Sequence, residues 1–144
     1  MRVKFLSITV ILFICLFSYA AENNNQLEGT WELISGKIIL SVKTIDTTPG
    51  EFERVIKIIN KTHFATIGQD TSKQESYFNA GNYSLSENVY TENLELFSKI
   101  SLIGSSLSYK IKIEGDQLTM SGPLKKKGEE EPGWQLHEVW KKIK

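Results

Sequence analysis

Gly29-Thr30-Trp31 and Val139-Trp140-Lys141-Lys142 bracket the part of this chain that folds, one opening the first apolar segment and the other closing the last. Between them lie short segments with period-two alternation and β-branched or aromatic enrichment, recurring about every 10 residues and closed by turn residues. No long helical pattern interrupts them. The paired tryptophan signatures suggest a closed antiparallel barrel, and the segments fall at roughly 29–43, 54–60, 63–69, 78–85, 88–98, 107–114, 117–122 and 134–143. The fold class is therefore all-β: a closed or nearly closed, up-and-down antiparallel barrel of about eight strands, which removes free sheet edges.

The expected reversals carry suitable chemistry. Thr48-Pro49-Gly50, Gly68-Gln69-Asp70, Ser86-Glu87-Asn88 and Glu114-Gly115-Asp116 supply the fixed or positive φ that turns demand. Alternation then assigns faces. Leu107, Tyr109, Ile111 and Ile113 share one face, while Lys110, Lys112 and Glu114 share the other. In the same way Trp31, Leu33 and Ser35 are expected on one face, and Arg54, Ile56 and Ile58 on another. Tyr83 pairs with Leu85, Tyr90 with Glu92, Leu94 and Leu96, and Trp134 with Leu136, Glu138, Trp140 and Lys142.

Ahead of the domain, Arg2 and Lys4 precede the apolar run Phe5 to Phe17, followed by Ser18-Tyr19-Ala20. That run is shorter than the roughly 20 residues a membrane-spanning helix needs, and a small-residue site follows it, so residues 1–20 read as a signal peptide. Cleavage near Ala20 leaves a flexible leader, 21–26, and the barrel domain, 27–144. The protein is expected to be exported, to the periplasm or the medium, without a transmembrane anchor. Cys15 is the only cysteine and lies inside the signal. Bulky Ile14 before it and Leu16-Phe17 after it argue against a lipidated cysteine.

The chain has 17 basic and 17 acidic residues, and without Arg2 and Lys4 the mature domain carries 15 and 17, a net of −2. Such a balance does not call for nucleic acid or acidic lipid. The run Lys125-Lys126-Lys127-Gly128-Glu129-Glu130-Glu131 largely cancels itself beyond a Debye length and reads as a solvated loop. His63 and His137 are the only histidines, and without cysteine they cannot form a conventional zinc set. Since His137 alternates away from Trp140, haem is disfavoured too. Neither metal nor cofactor is expected. Asn60-Lys61-Thr62 and Asn82-Tyr83-Ser84 match the glycosylation pattern, which matters only in a eukaryotic secretory route.

Gly29-Thr30-Trp31 resembles the glycine-x-tryptophan opening of lipocalins, and the basic residue after Trp140 resembles their closing arginine position. Thr62-His63-Phe64, Gly81-Asn82-Tyr83, Tyr90-Thr91-Glu92 and Glu138-Val139-Trp140-Lys141-Lys142 are similar to small exported lipocalin-like proteins of Bacteroidetes. The resemblance spans about residues 27–143. It implies that Trp31 plugs the closed end of the barrel with Lys142 laid over its ring, the departure being lysine for arginine, with Lys141 able to share the task.

Glu92 and Glu138 fall on otherwise apolar, aromatic faces, where a carboxylate must be paired or protonated. Arg54 is the expected partner. Tyr83, Tyr90, Glu92, Tyr109, Glu138 and Trp140 become the candidate lining of a pocket for a small, largely apolar ligand. A solidly packed barrel that contacts a protein or glycan through rim loops 44–53, 70–77 and 123–133 is the alternative. Two carboxylates in one cavity raise acid/base catalysis, yet no nucleophile elbow, phosphate loop or Ser/His/Asp order accompanies them, and no enzyme is expected.

Overall fold

The computed structural model describes residues 26–51, 53–98, 102–124 and 134–143. Residues 1–20, expected to be a signal peptide, most of the expected leader 21–26 and the 125–131 charge run lie outside the described residues. Alternating apolar segments form β1 (Gly29–Ile39), β2 (Thr44–Asp46), β3 (Glu53–Ile59), β4 (His63–Asp70), β5 (Glu75–Ser86), β6 (Val89–Phe97), β7 (Ser106–Glu114), β8 (Gln117–Pro123) and β9 (Gln135–Ile143). Neighbours pair in the order β2-β1-β3-β4-β5-β6-β7-β8-β9, and β1 also pairs antiparallel with β9. Thus β1 and β3 to β9 close an eight-stranded antiparallel barrel. The first segment, expected to run to residue 43, stops at Ile39 and folds back as β2, which pairs with Lys37 to Ile39 of β1.

Two bulges decide which side chains enter the barrel. Leu33 pairs with Trp140 but Ser35 with Val139, so Ile34 is an extra residue and the alternation of β1 reverses beyond it. Ser35 consequently turns outward and Gly36 inward, contrary to the expectation that Ser35 shares the face of Trp31. In β6, Leu94 pairs with Gly81 and Leu96 with Ala80, leaving Glu95 extra. Leu96 is thereby thrown to the outer surface, where it is 59% exposed. Gly81 is needed at this bulge because a Cβ there would run into the Asn93 carbonyl.

β3 is inverted relative to expectation. Val55, Lys57 and Ile59 are buried inside, and Arg54 and Ile58 are exposed outside. Arg54 Nε donates to Glu32 Oε1 at 2.8 Å on the outer wall, so it cannot serve the interior carboxylates. Both faces of this strand carry branched aliphatics, which is why alternation alone cannot choose between them. Gly68, expected in a turn, lies inside β4 beneath the ring of Tyr77, and the reversal falls at residues 71–74. Glu87 and Gly115, with φ of 55° and 59°, make the β5–β6 and β7–β8 turns.

Up-and-down order places the start of β1, the end of β9 and the β3–β4, β5–β6 and β7–β8 turns at one end. Trp31 closes that end. Its ring is fully buried and its Nε1 donates to the Leu27 carbonyl at 2.9 Å. Lys142 Nζ stands 4.9 Å from the ring centroid and donates to the Gln26 carbonyl at 2.9 Å. Gly29 permits this approach: its φ is 138° and a Cβ would meet Lys142 Cε at 2.7 Å. Lys141 points outward and is exposed. Replacing Trp31 by alanine should cost about 3 to 5 kcal/mol, measured by urea unfolding, through loss of the fully buried ring; a loss below about 1 kcal/mol would mean that the end closes without it.

Candidate functional site

Above Trp31 the barrel is filled by a mixed layer in which one ion pair is surrounded by aromatic rings. Lys57 and Glu92 are 4% and 2% exposed, and Lys57 Nζ donates to Glu92 Oε1 at 2.6 Å. β3 supplies the lysine because Lys57 sits between Val55 and Ile59 on the inner face, and β6 supplies the glutamate between Tyr90 and Leu94. The ammonium lies 5.1 Å from the Trp140 ring centroid, 5.7 Å from Phe64 and 5.9 Å from Tyr90. Its third kind of neighbour is the Met120 sulfur at 3.9 Å. Three ring faces and a carboxylate thus replace the water that the charge loses.

Glu138 stands one inward step above Trp140 on β9, half-buried. Its Oε2 accepts the Trp140 indole N–H at 3.1 Å. Among the described residues Oε1 has no hydrogen-bond partner, and Lys57 forms its ion pair with Glu92 rather than with Glu138. Burial raises the Glu138 carboxyl above its ordinary 4.5; the Lys57 charge opposes this, Glu92 adds to it and the indole bond opposes it. The same carboxylates push up the phenols around them. Tyr109 is raised well above 10, first by burial and then by Glu92 and Glu138. Tyr77 reaches about 12 through burial, Glu53 and Glu138.

Buried polar atoms without partners lie on the same inner wall. Thr66 Oγ1, Asn79 Oδ1 and the Tyr90 hydroxyl make no hydrogen bond among the described residues. Thr66 is the Cα partner of both Lys57 and Asn79, so the first two orphans sit beside the ion pair across β3, β4 and β5. The Tyr90 phenol is raised by burial first and by the facing Glu92 charge second. Toward the mouth the β6, β7 and β9 side of the inner wall is apolar and half-buried, with Phe97, Leu107 and Leu136, while Glu53, Asp70 and Glu75 line the β3 to β5 side.

A depression of about 400 Å³, lined by Glu32, Asp116, Lys141, Lys142 and Ile143, lies against the closed end instead. It is open to solvent and its two acids and two bases offset one another. The buried, imperfectly satisfied groups of the lumen are the stronger site. Among the described residues, no group of three or more His, Cys, Asp or Glu could hold a metal ion, and no helix is long and apolar enough to cross a membrane.

Residues 26–144 match the family model described as a domain of unknown function, DUF4488. The chain belongs to that family. Its fold is lipocalin-like: a lipocalin-like protein from Bacteroides uniformis ATCC 8492 superposes with a TM-score of 0.53 at 16% identity, over 82% of this chain and 99% of its own. An uncharacterized protein from Bacteroides eggerthii DSM 20697 does so with a TM-score of 0.50 at 12% identity, over 81% and 98%. No curated protein matches. At these identities the likeness concerns the fold alone.

Within this DUF4488 barrel, the structure brings Tyr90, Glu92, Tyr109, Glu138 and Trp140 together in the middle layer. Tyr83 reaches them only through its ring, 5.1 Å from that of Tyr90, and its hydroxyl donates to the Asn60 carbonyl at the closed end. Lys57, Thr66, Tyr77 and Asn79 escaped the sequence reading. Lys57 was legible in principle, since a buried glutamate needs a cation and only β3 carries a lysine between two apolar inward positions.

A carboxyl whose folded pKa is raised binds its proton more tightly in the folded state, so it favours folding increasingly as pH falls from above the folded value toward the unfolded 4.5. At neutral pH Glu138 therefore opposes folding. The Glu138→Gln variant should gain stability relative to the parent near neutrality, and the gain should vanish as pH is lowered toward about 4.5. Paired thermal melts across that range would show it; a constant offset at every pH would mean that Glu138 titrates normally.

Proposed function

We propose that this protein is an exported lipocalin-like binder that holds one small, largely apolar ligand in the upper half of its barrel. The single observation that carries the reading is Glu138. It is a half-buried carboxylate on the inner face whose second oxygen has no hydrogen-bond partner among the described residues, in a barrel that also holds the orphaned Thr66 and Asn79 atoms. A purely structural interior would satisfy or omit such groups, because each unpaired buried polar atom costs about 1 to 3 kcal/mol. The lower half, sealed by Trp31 and filled by Trp140, Tyr90, Leu118 and Met120, acts as a rigid floor. The lipocalin-like fold supports this division into closed end and mouth.

The fold also favours binding over catalysis. Glu92 is tied to Lys57 and is not available to share a proton with Glu138 as an acid/base pair. A second reading has an observation of its own: Ile58, Ile67, Phe78 and Leu96 are 45%, 52%, 47% and 59% exposed on the outer wall of β3 to β6. The pairings Ile67–Phe78 and Ala80–Leu96 set them on adjacent rungs, the kind of apolar surface that a protein partner covers.

Native mass spectrometry of protein purified from its own host tests the proposal. The chain should begin at Ala21, carry no lipid and retain a small noncovalent mass that Glu138→Gln retains less well. A clean mass, or equal retention by the variant, would favour the packed interaction module. A chain beginning at a lipidated Cys15 would overturn the soluble, exported assignment.

A further inference from the structure

The charge inventory of the lumen restricts what the ligand's polar end can be. Inward positions of the described strands carry Glu53, Lys57, Asp70, Glu75, Glu92 and Glu138 between the Trp31 plug and the mouth, and Lys57, the one cation among them, is already paired with Glu92. Lys142 is inward too, but it lies at the closed end, bonded to the Gln26 carbonyl over the Trp31 ring. Asp70, at the mouth end of β4, is held by Lys73 at 2.6 Å. Glu53 accepts a long 3.5 Å contact from the Tyr77 hydroxyl and lies in the field of Lys73. Among the described residues the upper lumen is left with surplus negative charge, of which Glu138 has no ion-pair partner.

The uncharged groups agree. Among the described residues Asn79 Oδ1 is an acceptor without a donor, and Thr66, only 6% exposed, has a hydroxyl without a partner. Together with Glu138 Oε1 they ask for hydrogen-bond donors. The indole of Trp140 is fixed beside Glu138 by its N–H bond, and burial first, with the nearby carboxylates adding to it, holds Tyr77 and Tyr109 in their neutral, donor-retaining forms. Among the described residues of the upper lumen, an anionic head group such as a fatty carboxylate would meet carboxylates and no unpaired cation. A protonated amine offers up to three donors and one positive charge, and it meets a carboxylate and aromatic faces.

We propose that the ligand is an amphiphilic amine whose ammonium group sits on Glu138, within donor reach of Thr66 and Asn79, and whose apolar body lies along Leu107, Leu136 and Phe97. This rests on the lumen-binding reading above.

Titration calorimetry of the mature protein with octylamine, 1-octanol and octanoate at neutral pH and low salt discriminates the possibilities. Octylamine should bind at least about tenfold more tightly than octanoate. In Glu138→Gln that preference should shrink to about threefold or less, because the charge contact has been removed. Octanoate binding as tightly as octylamine, or an amine preference that survives in the variant, would overturn the amine assignment while leaving the lumen-binding reading in place. Failure of all three to bind would overturn both.

Discussion

The buried Lys57–Glu92 ion pair is the constraint on which the interior of this barrel depends. Two charges almost fully withdrawn from water are tolerable only if each supplies the other's counter-charge and the surroundings supply the rest. Here the rest is three aromatic faces and a thioether. The pair joins β3 to β6 across the lumen, strands that are not neighbours in the wall, and so it fixes the register of both halves of the barrel. A slip of one residue in either strand would put a lone charge in the core.

That constraint also divides the barrel into two unlike halves. Below the pair, Trp31, Leu118, Met120 and Trp140 are essentially without exposure, and the space is consumed by side chains. Above it, side chains on the inner face are half-buried and polar atoms lack partners. Because Glu92 neutralises Lys57, Glu138 is left without an ion-pair partner among the described residues. The same arrangement that stabilises the floor therefore leaves a carboxylate facing the mouth, which is the chemical basis for assigning a ligand there.

Much of the fold was legible in the sequence because it rests on local signals. The strands from residue 53 onward begin and end within a few residues of their expected bounds, and β7 shows the expected faces, with Tyr109 inward and Lys110 and Lys112 exposed. What could not be read was the bulges. An extra residue at Ile34 or Glu95 leaves no local mark, yet it turns Ser35 and Leu96 outward. β3 failed for a different reason. Val55, Ile56, Ile58 and Ile59 make both faces apolar, so Lys57 was hidden by composition and Arg54 looked the better partner. The orphaned Thr66 and Asn79 atoms depend on pairing across β4 and β5, which no single segment encodes.

A double-mutant cycle on Lys57 and Glu92 tests the ion pair most directly. Urea unfolding of Lys57→Met, Glu92→Gln and the double variant, at one neutral pH, yields the coupling energy. The lone Glu92 carboxylate left by Lys57→Met should cost about 3 to 5 kcal/mol, and the double variant should lose clearly less than the two single losses combined. Additive losses would contradict a shared dry interior and, with it, the charge imbalance that assigns Glu138 to a ligand.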